Sequence, residues 1–176
     1  MLDTLIQSKT RLKLLLRFFL NPESSAYLRG LAQEFDESTN SVRVELNRFE
    51  EAGLIEAHKE GNKKIFQVNT SFPLFSELQK IAFKHFGIDQ IIEQVVQKLG
   101  QVNAVYLTGD LARGLDSAIV DITLIGDKID SGYLTKLVEK AEKLIDRKIR
   151  TLVYETNEEI SMQDPKLLIY GEDLKN

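Results

Sequence analysis

Residues 27–69, YLRGLAQEFDESTNSVRVELNRFEEAGLIEAHKEGNKKIFQVN, decide how the first half of the chain folds. Val42, Leu46 and Phe49 fall at i, i+4 and i+7, the core face of a helix expected over residues 38–52. Ser38 is placed to cap its start and Gly53 to close it. On the opposite face the 100° step gathers Asn40, Arg43 and Asn47, with Val44 and Arg48 to one side. Arg and Asn are the side chains that can make bidentate hydrogen bonds to guanine and adenine edges in a major groove. For an isolated helix a solvated polar face would be the better reading of the same residues; the segment that follows shifts it. Leu54-Ile55 then leads into an alternating strand, Glu60-Gly61-Asn62 marks a turn, and residues 64–68 form a second strand. A Gly-Asn turn between short strands predicts a hairpin. Its tip carries Lys59, Lys63 and Lys64 beside Asn62, as phosphate contacts require.

Working outward, residues 8–20 are apolar on nearly every face, which predicts a helix buried on more than one side. Asn21-Pro22 stops it. Ser24 and Ser25 are then expected to cap a short helix over 26–35, with Leu28, Leu31, Ala32 and Phe35 inward. Asp36-Glu37-Ser38 is a polar turn. The order is helix, helix, turn, helix, basic hairpin. Residues 27–69 resemble the winged helix-turn-helix of ArsR/MarR-type bacterial transcription regulators, most specifically in "LNRFEEAGLI" followed by "KEGNKKIFQV". The resemblance implies a recognition helix at 38–52 and a wing at 56–68. It implies DNA contacts from Ser38, Thr39, Asn40, Arg43, Asn47, Arg48, Lys59, Asn62, Lys63 and Lys64. Acidic Glu37, Glu45 and Glu60 depart from that pattern, falling near the expected DNA surface, where they would weaken affinity or contact cytosine amino groups.

From Pro73 to Gly87 apolar residues recur at helical spacing over more than one stripe. This connector reads either as a core helix or, with slightly more support, as a dimerisation helix. Beyond it, Ile88, Ile91, Ile92, Val95, Val96 and Leu99 mark a helix ending at Gly100. Residues 104–107, 119–125, 148–154 and 167–170 read as strands, and residues 134–145 as a further helix. Strands alternating with helices predict a sheet covered by helices.

The segment LTGDLARGLDSAIVDITLIGD, residues 107–127, is similar to the signature of minimal nucleotidyltransferases of the DNA polymerase beta superfamily. Gly109 matches that family's turn glycine, and Ala112, Arg113 and Gly114 match its continuation. Asp110 stands where the family has serine. Ala118, Ile119 and Asp121 stand at its Ser-Asp-x-Asp, and Arg150 at its third carboxylate. Two-metal phosphoryl transfer needs several carboxylates converging on the cations. Ile119 cannot ligate, and Arg150 would repel a cation. The resemblance therefore implies a degenerate nucleotide site at Gly109, Asp110, Arg113 and Asp121, with no catalytic or metal-binding residue. Asp110, Asp116 and Asp121 as a new cation site is the less favoured alternative. Asp110 capping a short helix through Ala112 and Arg113, with Asp121 at a strand edge, is the preferred reading.

Composition narrows the classes further. The 176 residues carry 23 Lys plus Arg against 27 Asp plus Glu, a net charge of −4, so total charge gives no hint of nucleic acid. Residues 1–80 are neutral and residues 81–176 hold the whole deficit. Cysteine is absent, which removes disulfides, thiolate zinc sites and a cysteine nucleophile. With His58 and His85 as the two histidines, a histidine-built metal centre is not expected. The most apolar run, residues 12–20, carries Lys13 and Arg17 and falls short of the roughly 18–20 residues a membrane span requires.

The expectation is an α+β protein: an N-terminal winged helix-turn-helix over 1–72, a connector or dimerisation helix over 73–87, and a small α/β nucleotidyltransferase-like domain over 88–176. Its expected function is that of a cytoplasmic transcription regulator, not an enzyme, needing no cofactor. Its partners would be double-stranded DNA and a second copy in a homodimer, with a small molecule or nucleotide as effector. Two other readings stay open: an active nucleotidyltransferase acting on a protein or small molecule, and a protein-interaction module.

Overall fold

In the computed structural model, residues 2–155 and 166–172 are described. Residues 156–165 and 173–176, part of the expected C-terminal domain, lie outside them. The protein is a mixed α+β structure whose chain divides into two units, Met1–Ala82 and Phe83–Asn176.

In the first unit, α1 (Leu2–Leu5) precedes α2 (Lys9–Leu20), which starts where the Ser8 hydroxyl accepts the Arg11 N–H at 3.2 Å. Leu14, Phe18, Phe19 and Leu20 are wholly buried, as an all-round apolar helix demands. The next element differs from expectation. Residues 25–27 do not begin a helix: Ser25–Tyr27 is strand β1, and α3 (Leu28–Phe35) starts after it without a side-chain cap. Ser24 is engaged elsewhere, its Oγ donating to Asn21 O at 2.7 Å and accepting from Arg17 Nη1 at 2.7 Å. Pairing with a later strand, invisible in local propensity, makes residues 25–27 extended.

Helix α4 (Thr39–Glu51) is capped by Ser38 Oγ, which accepts the Ser41 N–H at 3.0 Å. It packs on α2 and α3 through Val42, Leu46 and Phe49. Strands β2 (Ile55–Glu60) and β3 (Lys63–Val68) come next, joined across Gly61-Asn62, with Glu60 opposite Lys63. The sheet is antiparallel with order β1-β3-β2. Helix α5 (Phe75–Phe86) then crosses the division between the units.

The second unit begins with one helical run: α6 (Ile88–Ile91), a π turn at Ile92–Val96, and α7 (Gln97–Leu99). Strand β4 (Ala104–Thr108), helix α8 (Gly109–Ala112), β5 (Ile119–Ile125), α9 (Ser131–Ile145), β6 (Lys148–Tyr154) and β7 (Leu167–Gly171) complete it. The sheet order is β6-β5-β4-β7, with β5 and β6 parallel and the other pairs antiparallel. Helix α9 packs against α6 and the π turn, burying Leu134, Leu137 and Ala141. Among the described residues, no helix is long and apolar enough to cross a membrane.

Candidate nucleic-acid interface and the Gly109 turn

The two faces of α4 have different fates. Val42, Glu45, Leu46 and Phe49 are buried, while Thr39, Asn40, Arg43, Val44, Asn47 and Arg48 are exposed. Asn40, Arg43 and Asn47 have no hydrogen bond or ion pair to other side chains among the described residues. Ser38, exposed at the head of the helix, shares its hydroxyl with Ser41 Oγ at 2.8 Å. Lys59, Asn62, Lys63 and Lys64 are exposed on the hairpin.

Glu45 corrects the sequence reading. Its side chain is 7% exposed and turns into the protein, away from the open face of α4. Oε2 accepts from Arg11 Nε at 2.9 Å; Oε1 accepts from Ser8 Oγ at 3.0 Å, Arg11 Nη2 at 3.2 Å and Arg48 Nη1 at 3.1 Å. Burial alone would push this carboxyl up. The hydrogen bonds from Arg11 and Ser8, with the charges of Arg11 and Arg48, outweigh it and hold Glu45 below the ordinary glutamate value. The same pairing raises Arg11. Arg48 is therefore shared between the open face and a buried acid.

Three further acids near α4 are also engaged from within, while Asp36 and Glu51 are exposed without a cation partner among the described residues. Glu37 pairs with Lys13 at 3.2 Å, and Glu50 with Lys64 at 2.7 Å. Glu34 pairs with the buried Arg17 at 3.0 Å, and burial nonetheless pushes its carboxyl up. Glu60, by contrast, is exposed on the hairpin. Of the hairpin lysines, Lys64 is thus held by Glu50, whereas the Lys63 ammonium sits 4.4 Å from the centre of the Tyr27 ring. That ring packs close to Gly30, where a Cβ would stand 3.1 Å from it and require the ring to shift. Sequence reasoning missed Arg11, Ser8 and Tyr27, because their partners lie tens of residues away. Exposed Arg29 on α3, also without a partner among the described residues, was missed as well.

In the second unit the chain turns from β4 into α8 at Gly109, whose φ of +66° lies in the left-handed region. A Cβ there would strike the Asp121 carboxylate. Asp121 stands on β5 between β4 and β6, a central strand and not the expected strand edge. Its register neighbours are Thr108 on β4 and Arg150 on β6. Arg150 Nε donates to Asp121 Oδ1, and that bond, with the charge of Asp121 and a smaller contribution from Asp110, raises the guanidinium further. Asp110 does not cap α8; Thr108 occupies the cap position without a side-chain bond, and Asp110 pairs with Arg113 at 3.6 Å. Asp116 pairs with Arg147 at 2.8 Å. The three aspartates thus face three different arginines, and no group of three or more His, Cys, Asp or Glu residues placed to hold a metal occurs among the described residues.

No family model matches the chain, and no curated protein matches it. Among solved structures, it is similar to AF1382 from Archaeoglobus fulgidus, with 23% identity and a TM-score of 0.38, over 53% of this chain and 98% of that one.

Proposed function

We propose that this protein is a cytoplasmic DNA-binding transcription regulator whose first unit is a winged helix-turn-helix. Helix α4 enters the major groove with Asn40, Arg43 and Asn47 on base edges, and Lys59 and Lys63 on the hairpin reach phosphates. Two copies acting together would read two half-sites about one helical turn apart.

The observation that carries this reading is the distribution of charge around α4. Its open face keeps unpaired Arg43 between two free asparagines, while Glu37, Glu45 and Glu50 are each neutralised by a cation of the same unit. Those pairs cancel locally, which leaves Arg43, Lys59 and Lys63, unpaired among the described residues, as the cations a polyanion would meet, against the exposed Glu51 and Glu60.

The second unit is proposed to be a nucleotidyltransferase-like fold that serves assembly or ligand sensing without metal chemistry. In support, Arg150 occupies Asp121 with a fixed positive charge, and Ile119 brings no ligand to the same strand. A divalent cation would have to displace a guanidinium from the carboxylate it needs.

Fluorescence anisotropy with duplexes from upstream of its own gene, at two salt concentrations, tests the reading. Sequence-selective binding that weakens steeply with salt is the expected result. Equal affinity for a random duplex, or binding indifferent to salt, overturns it.

A further inference from the structure

The sheet edges of this protein are closed off in different ways, and among the described residues one is left open. Edge strand β1 is three residues long. Edge strand β2 presents exposed Glu56, His58, Lys59 and Glu60. Strand β7 is irregular, its register against β4 shifting between Val105 and Tyr106. Short length, charge and bulges are the ordinary devices against edge-to-edge pairing. Strand β6 has them in its first half only. There Lys148 and Arg150 are charged, and the outward Ile149 N–H is already taken by Glu142 Oε1 at 2.9 Å. Residues 151–154, Thr-Leu-Val-Tyr, carry no charge, with Leu152 56% and Val153 43% exposed.

The ladder fixes which backbone groups are free. Lys148 N–H donates to Ala118 O and Tyr154 O accepts from Gly126 N–H, so residues 148, 150, 152 and 154 turn their backbone groups toward β5. Residues 149, 151 and 153 turn theirs outward. With Ile149 N–H spent on Glu142, the N–H and C=O groups of Thr151 and Val153 remain open among the described residues.

We propose that the β6 edge pairs antiparallel with β6 of a second copy, about a twofold axis at Leu152, joining the two sheets into one. This register uses the open groups: Thr151 exchanges both backbone bonds with the partner's Val153, and Val153 with the partner's Thr151. It leaves Ile149 on Glu142. Leu152 then faces the partner's Leu152 as a non-hydrogen-bonded pair, where side chains approach most closely. Arg150 falls opposite the partner's Tyr154, a cation beside an aromatic ring rather than a like charge. A register centred on Thr151 would instead demand the Ile149 N–H that Glu142 holds. The two copies are related by closed symmetry, so pairing ends at a dimer. This inference rests on the two-copy part of the proposed function and not on its DNA part, and it places the contact on β6 instead of the α5 connector.

The absence of cysteine makes the test direct, since Leu152→Cys supplies the sole thiol in the chain. Opposed Cα atoms of a non-hydrogen-bonded pair, about 4.5 Å apart, lie within disulfide range. Under mild oxidation at micromolar concentration, full-length L152C should form a covalent dimer about tenfold faster, or more, than L144C on exposed α9. A mixture of T151C and V153C should cross-link faster than either alone, which reads the register. Sedimentation of the unmodified protein should give a dimer. A monomer throughout that concentration range overturns the proposal, as does L152C cross-linking no faster than L144C. The assay contains no DNA, so a protein that cross-links in it yet ignores every duplex would sink the DNA reading and leave this one standing.

Discussion

Glu45 on α4 accepts a 2.9 Å hydrogen bond from Arg11 on α2, 34 residues earlier in the chain. The pair ties the helix proposed to read DNA to the helix that forms the centre of its unit. Because the carboxylate also receives Ser8 and Arg48, one buried group sets both the seat of α4 and the position of an arginine at its open face.

Replacing Glu45 should therefore cost stability, and by an amount that depends on pH. Glu45→Ala leaves Arg11, Ser8 and Arg48 without their acceptor, an expected loss of about 1–3 kcal/mol by urea denaturation at neutral pH. The folded carboxyl lies below the ordinary value of 4.5, so the folded state favours its ionised form. Its contribution is complete above the unfolded value and is lost as pH falls through the folded one. The stability difference between wild type and Glu45→Gln should accordingly shrink as pH falls through and below the ordinary glutamate value of 4.5. Glu34, pushed up by burial, has the opposite slope but is common to both proteins and cancels in the difference. A gap that stays constant or widens on acidification would contradict this role for Glu45.

The lysines and arginines at the proposed DNA face should separate by what each already holds. Arg43→Ala should cost about 1–3 kcal/mol of binding and relax preference at its contacted position. Lys63→Ala should weaken all duplexes alike and reduce the salt slope by about 1. Lys64→Ala should change that slope less, because the Lys64 ammonium is held by Glu50 at 2.7 Å and reaches a phosphate only by leaving it. Equal loss of affinity from Arg43 and Lys63, with sequence preference intact, would dissolve the division between base and backbone contacts.

What the sequence made legible was local. The spacing of Val42, Leu46 and Phe49, the Ser38 hydroxyl and the Gly-Asn turn each act within a few residues, and α4 and its hairpin lie where those signals put them. Residues 25–27 are extended because β3, some forty residues later, supplies their hydrogen bonds, and no propensity of Ser-Ala-Tyr announces that. The inward turn of Glu45 was legible in part, since the 100° step puts it beside Phe49 at the margin of the core face; its partners Arg11 and Ser8, more than thirty residues earlier, were not. In the second unit, Asp121 and Arg150 could be singled out as substituted positions, but their pairing depends on the parallel register of β5 and β6, a tertiary fact.

Gly109 should be harder to replace than Gly61. In the hairpin turn, Gly61 has a φ of +57° but no atom within 4 Å of the point a Cβ would occupy, so Gly61→Ala should carry the backbone cost alone, roughly 1–2 kcal/mol. Gly109→Ala adds to the same strain a collision with the Asp121 carboxylate. It should lower the urea midpoint further than Gly61→Ala does. Adding Asp121→Ala should return part of the loss, a coupling measurable by a double-mutant cycle. Equal costs at Gly61 and Gly109 would mean that the carboxylate gives way freely and the collision has no weight.

Arg150 should prove to be what keeps cations from the Gly109 turn. Its guanidinium is bonded to Asp121 and feels the charge of Asp110, so a divalent ion approaching those carboxylates meets a fixed positive charge. Arg150→Asp reverses that charge and adds a carboxylate in register with Asp121. Manganese should then raise the melting temperature of Arg150→Asp while leaving that of the wild type unchanged, a shift expected whenever a ligand binds the folded state alone. Transfer of labelled nucleotide should remain undetectable in both, because Ile119 still supplies no ligand where two-metal chemistry needs one. Stabilisation of the wild type by manganese would overturn this role for Arg150, and transfer of nucleotide that disappears with Asp121→Ala would make the second unit an enzyme.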